Sequence, residues 1–166
     1  MRHLKSIVAA LGICAFTFSV NADQRIDTEL GQFEIITGEQ KAVTSREYTV
    51  KFSGELLAVT EMYREIKAFD LGVAKYTGGL HSILVNGVAG GNACSDIFTV
   101  LRFRENYRYV SPPLYVCGGV KSIDKNGSIV IIRGFERDGV TKVKYVVNSD
   151  QVSKNGKPFT STLKFF

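Results

Sequence analysis

From Phe33 to Val147 the chain repeats one pattern: runs of five to eight β-branched and aromatic residues, separated by glycine-containing turns. This is the rhythm of an all-β protein. The clearest strands are Phe33 to Thr37, Tyr48 to Phe52, Ser82 to Val85, Ile97 to Phe103, Ser128 to Arg133 and Thr141 to Val147. In the last, Val143, Tyr145 and Val147 share one face and Lys142 and Lys144 the other, as a sheet with one wet side requires. Asn86-Gly87, Asn126-Gly127, Asp138-Gly139 and Asn155-Gly156 are dipeptides that adopt positive φ readily, so each predicts a tight hairpin turn, and together they predict a meander. Pro158 cannot donate to a ladder, which places the segment after Asn155-Gly156 at a sheet edge or outside the sheet.

Leu56 to Phe69 is ambiguous, because Leu56, Val59, Tyr63 and Ile66 fall at helical spacing. Strands are preferred, since Ser53-Gly54 reads as a turn and nothing stops a helix before Gly72. There is no internal repeat, low-complexity tract or long linker. With eight or so short strands, residues 23–166 predict a single antiparallel β-domain, a sandwich or a flattened barrel.

The N-terminus departs from this texture. Arg2, His3 and Lys5 precede an apolar run from Ile7 to Val20, and Val20-Asn21-Ala22 offers the modest side chains a signal peptidase accepts, so residues 1–22 read as a cleaved secretory signal. The run falls short of the roughly 20 residues of a transmembrane helix, and no later stretch approaches that length. An uncleaved anchor and lipidation at Cys14 are the alternatives; Ile13 is a poor neighbour for the second. The expected destination is the periplasm or the medium.

Of 166 residues, 45% are hydrophobic and the formal charge is +5; removing Arg2 and Lys5 leaves 19 basic against 16 acidic residues, or +3. A nucleic-acid partner would call for a denser basic stripe, and none is expected. Cleavage also removes Cys14. The two remaining cysteines, Cys94 and Cys117, predict a structural disulfide in an oxidising compartment; their spacing does not suit a redox dithiol.

Candidate chemistry is sparse. His81, at the head of an apolar strand, reads more readily as a packed structural residue than as a base. It has no second histidine for a metal site, and no cofactor is implied. The Gly-x-Ser-x-Gly elbow and the phosphate-cradling glycine loop are absent. Asp96, Glu105, Asp124 and Asp138 could in principle converge as a glycosidase pair, but nothing singles out two of them. With no tryptophan, the seven tyrosines are the remaining platforms for a sugar ring.

The strongest surface candidate is the hairpin Leu101 to Val110. With Glu105-Asn106 as its loop, Arg104 lies opposite Tyr107, Arg102 opposite Tyr109 and Leu101 opposite Val110. One face then carries Arg102, Arg104, Tyr107 and Tyr109, and the other turns Leu101, Phe103 and Val110 to the core while Arg108 leans out near the tip. Arginine beside tyrosine can hold a carboxylate or phosphate and anchors protein interfaces, though it also dresses ordinary wet sheets. A second candidate is the loop Gly90-Gly91-Asn92-Ala93-Cys94, which the expected bridge would join to Cys117-Gly118-Gly119 beside the hairpin's base. Asn126-Gly127-Ser128 fits an N-glycosylation pattern, relevant only in a eukaryotic secretory pathway.

Gly90-Gly91 before Cys94, a strand from about Ile97, Ser111-Pro112 after a hairpin and Cys117 together resemble a loose group of exported Gram-negative bacterial proteins of unassigned function. The likeness covers roughly residues 48–135 and departs at Pro113 and in the arginine-rich hairpin. It implies a periplasmic β-rich domain with a bridge and carries no catalytic residues. The leading expectation is a non-enzymatic binding protein for an anionic envelope component or a protein partner. An inhibitor or immunity protein against a secreted cell-wall hydrolase, and a hydrolase built on carboxylates or His81, are the rivals.

Overall fold

The computed structural model describes residues 23–75, 78–90 and 94–166. The expected signal segment 1–22 lies outside them, as do Gly91, Asn92 and Ala93 of the glycine-rich turn. The described residues form thirteen strands: β1 (Gln24–Thr28), β2 (Gly31–Ala42), β3 (Ser45–Phe52), β4 (Glu55–Ala74), β5 (Leu80–Ala89), β6 (Ile97–Arg104), β7 (Tyr107–Val110), β8 (Leu114–Tyr115), β9 (Val120–Asn126), β10 (Ile129–Phe135), β11 (Lys142–Asn148), β12 (Gln151–Lys154) and β13 (Lys157–Pro158).

All pairings are antiparallel. One sheet runs β1 to β7 in chain order, with β8 taking the stretch of β6 that β7 leaves free; the other runs β13-β12-β11-β10-β9. Both are meanders, as the turn dipeptides predict. Neither closes, so the fold is a sandwich and not a barrel. Ser53 and Gly54 both take left-handed backbone, φ 51° and 78°, as do Asn155 and Gly156, 51° and 81°, the geometry that joins adjacent strands with two residues. Pro158 lies on β13, at a sheet edge. Asn86-Gly87 is a correction: it sits inside β5, paired to Phe98 and Ile97 of β6, and turns nothing.

The larger sheet is itself folded over. β4 pairs with β3 through its first half and with β5 through its second, with register shifts near Tyr63 and Asp70. The Gln24 side chain of β1 spans the fold, donating to Ile66 O at 2.7 Å and accepting from Ala68 N at 2.7 Å. The result is three layers and two cores. Phe33, Ile35, Val50 and Phe52 of β2 and β3 pack against Ile83, Val85, Leu101 and Phe103 of β5 and β6, with the Phe52 and Phe103 rings stacked at 4.1 Å. On the other face of β5 and β6, Leu84, Phe98 and Val100 meet Val130, Ile132, Val143, Tyr145 and Val147 of the second sheet. The middle layer is thus covered on both sides, which a strand pattern with a single wet face does not anticipate.

The chain crosses between sheets at Cys117-Gly118-Gly119, where Gly118 N donates to Phe135 O and Phe135 N donates to Gly119 O. A Cβ on Gly118 would fall 1.8 Å from Glu136 O, so only glycine permits this approach. The Cys94–Cys117 disulfide pins the crossing to the start of β6. Phe165 returns from the far end of the chain into the first core, stacked on Tyr63 at 4.8 Å with Tyr63 Oη donating to its carbonyl.

Candidate functional site

The β6–β7 hairpin has the register read from the sequence: Leu101 faces Val110, Arg102 faces Tyr109, Phe103 faces Arg108 and Arg104 faces Tyr107, across a loop in which Asn106 takes φ 57°. The surroundings differ from expectation. Arg102 shares a face with Phe98 and Val100, and that face is roofed by the second sheet, leaving Arg102 0% exposed. Its Nη2 donates to Ser128 O at 2.5 Å and Val147 O at 3.0 Å, while Nε and Nη1 find no acceptor. Burial pulls the guanidinium below its ordinary range and pushes the half-buried Tyr109 phenol up. Arg102 and Tyr109 are therefore part of the joint between sheets, and the four-residue open face shrinks to Arg104 and Tyr107. Val110, expected in the core, is 47% exposed.

The surviving pair is close. The Arg104 guanidinium carbon lies 5.3 Å from the Tyr107 ring centre, within cation–π range. On the opposite side of the hairpin, Arg108 lies 5.7 Å over Phe52 and pairs with Glu55 at 2.8 Å. Two clefts flank the tip and share Leu30, Arg104 and Glu105. One, of about 550 Å³, is also lined by Phe52, Phe103, Tyr107 and Arg108. The other, of about 340 Å³, is also lined by Glu29, Val73, Gly78, Gly79 and His81. They sit where the turns β1–β2, β4–β5 and β6–β7 gather at one end of the folded sheet.

His81 is packed, as expected, but it also borders the smaller cleft. It is 5% exposed, its Nε2 lies 2.8 Å from Asp70 Oδ1, and its Nδ1 has no partner among the described residues. Sequence reasoning missed Asp70; it lies opposite Ile83 next to a register shift in β4 and reaches His81 through its side chain, and such shifts leave no simple mark in a strand's pattern. Of the four carboxylates weighed as a pair, three are engaged separately: Asp96 accepts from Asn86, Asp124 from Arg133, and Asp138 from Val140 and Thr141 of its own turn, while Glu105 lines the clefts at the hairpin tip. Among the described residues no group of three or more His, Cys, Asp or Glu side chains is placed to hold a metal ion, and no helix is long and apolar enough to cross a membrane.

The disulfide loop is a separate place. Eight strand residues run from Ile97, near Cys94, to Arg104, so the two ends of the strand stand about 23 Å apart at about 3.3 Å per step. A third cleft, of about 550 Å³ and lined in part by Leu57, Tyr109, Val110, Phe159 and Leu163, runs beside β7. The chain matches no protein-family model, no curated protein and no solved structure.

Proposed function

We propose that the chain is an exported, non-enzymatic binding protein that holds an anionic group, on a small molecule or a protein partner, at the β6–β7 hairpin tip. Arg104 is the anchor and Tyr107 the platform that fixes its plane. The observation that carries this reading is the state of Arg104: exposed, seated on an aromatic ring, open to two clefts, and joined to no carboxylate among the described residues. A guanidinium in that setting retains its forked donors for a carboxylate or phosphate. Arg108 close by is occupied by Glu55. The bridged cysteines, and the secretory signal expected at residues 1–22, support an envelope or extracellular setting.

The test is an amide-resolved NMR titration of the disulfide-intact protein with inorganic phosphate and with acetate, repeated on Arg104→Gln. Shifts concentrated at residues 104–107 and abolished in the variant are expected. Shifts spread evenly over surface lysines, and equal in both proteins, would overturn the assignment.

A further inference from the structure

The smaller cleft at the hairpin tip has a charge pattern that a plain anion does not complete. Arg104 brings one positive charge; Glu29 and Glu105 bring two negative ones. None of the three takes part in an ion pair with the others or with any other described residue. Arg104 leans instead on Tyr107. Three unpaired charges of mixed sign around about 340 Å³ make a site of the size small ligands use, about 300–1,000 Å³.

His81 forms a rigid, buried wall of the same cleft. Its Nε2 lies 2.8 Å from Asp70 Oδ1, which fixes the orientation of the ring. Its Nδ1 is shut off from solvent and finds no partner among the described residues. The opposite wall is bare backbone. Gly78 and Gly79 both take left-handed φ, 70° and 73°, a backbone that favours glycine over any residue with a side chain.

A carboxylate or phosphate alone would satisfy Arg104 and stand against two glutamates. An amine alone would do the reverse. Resting on the binding reading above, we infer that the cleft between Arg104, Glu29 and Glu105 takes a small zwitterion, an α-amino acid, with its carboxylate on Arg104 and its ammonium group toward the two glutamates. An ammonium, which only donates, suits the two carboxylates, which only accept. Val73 and Leu30 leave an apolar wall for a modest side chain.

Calorimetric titration of the disulfide-intact protein with L-alanine, N-acetyl-L-alanine, L-alanine methyl ester and acetate tests this directly. Free alanine is expected to bind at least tenfold more tightly than any of the other three. Arg104→Gln should abolish binding, and the double variant Glu29→Gln/Glu105→Gln should weaken alanine at least tenfold while sparing acetate. If acetate and N-acetyl-alanine match alanine and all lose affinity in Arg104→Gln, the zwitterion is wrong and the anion site stands. If no probe binds, or none responds to Arg104→Gln, both readings fall.

Discussion

Arg102 shows how far a residue's register can be legible while its environment is not. The two-residue loop set by Asn106 fixes which side chains lie opposite which, and those pairings follow from local sequence alone. Which face receives a second sheet does not, because the strands that cover Arg102 arrive from residues 128–147, beyond the reach of a period-two pattern. The burial has a measurable consequence. Arg102→Ala removes the donor from two interior carbonyls and opens a void between the sheets, and should cost about 3–5 kcal/mol in urea unfolding. Arg102→Met keeps most of the volume and also removes the two unpartnered nitrogens, so it should cost no more than about half as much. Equal losses would mean that the carbonyl contacts, and not packing, hold the joint. Gly87 makes the same point from the other side. Its sequence neighbour suggests a turn, but it is a strand glycine that clears space for Tyr63: a Cβ there would lie 2.6 Å from the Tyr63 ring and 3.0 Å from Phe165. Gly87→Ala should destabilise by about 1–3 kcal/mol through overpacking, read from the same urea transition.

At the scale of elements, β4 explains why its own segment reads ambiguously. Thr60, Tyr63 and Ile66 are buried at intervals of three, the spacing of a helix face. The strand achieves this because its pairings slip near Tyr63 and because it changes partners there from β3 to β5, so the inward parity resets instead of alternating. Regular strands such as β11, which meets the second core with Val143, Tyr145 and Val147, carry no such slip and were readable from alternation alone. The bridge is likewise legible from cysteine parity, but its job emerges only from topology: it ties the crossing between sheets to β6, closing a span of 23 residues. Reduction, or the double variant Cys94→Ser/Cys117→Ser, should lower stability by about 3 kcal/mol in the chain-entropy picture. With the bridge and the hairpin tip at opposite ends of β6, the still-folded reduced protein should keep the anion response of residues 104–107. Loss of that response together with the bridge would show the two ends to be coupled.

The molecule as a whole places phenols in both cores and in the joint between them, and this sets its response to alkali. Tyr63 donates to Phe165 O in the first core, Tyr145 meets Phe159 edge-on in the second, Tyr109 lies at the joint, and Tyr48 donates to Arg64 O at 2.8 Å. Burial raises all four above the ordinary value of 10.0, Tyr63 most strongly. A phenol held neutral in the folded state ionises first in the unfolded one. Its contribution is therefore whole below pH 10 and is lost as pH rises from there toward the folded value. Lys154, raised by its hydrogen bond to Glu136, acts in the same direction, while Lys125, lowered by burial against Leu71 O and Gly72 O, opposes them weakly. Four phenols outweigh one part-exposed lysine, so the urea midpoint should fall steadily above pH 10. Because the phenols are distributed over both cores, the phenolate absorbance of these four should rise in step with loss of near-ultraviolet circular dichroism, as one transition. Tyr63→Phe should be less stable at neutral pH, where the bond to Phe165 O is lost, and less sensitive to pH above 10. Phenolate absorbance that runs to completion while the dichroism is unchanged would place these rings in water and contradict the double core.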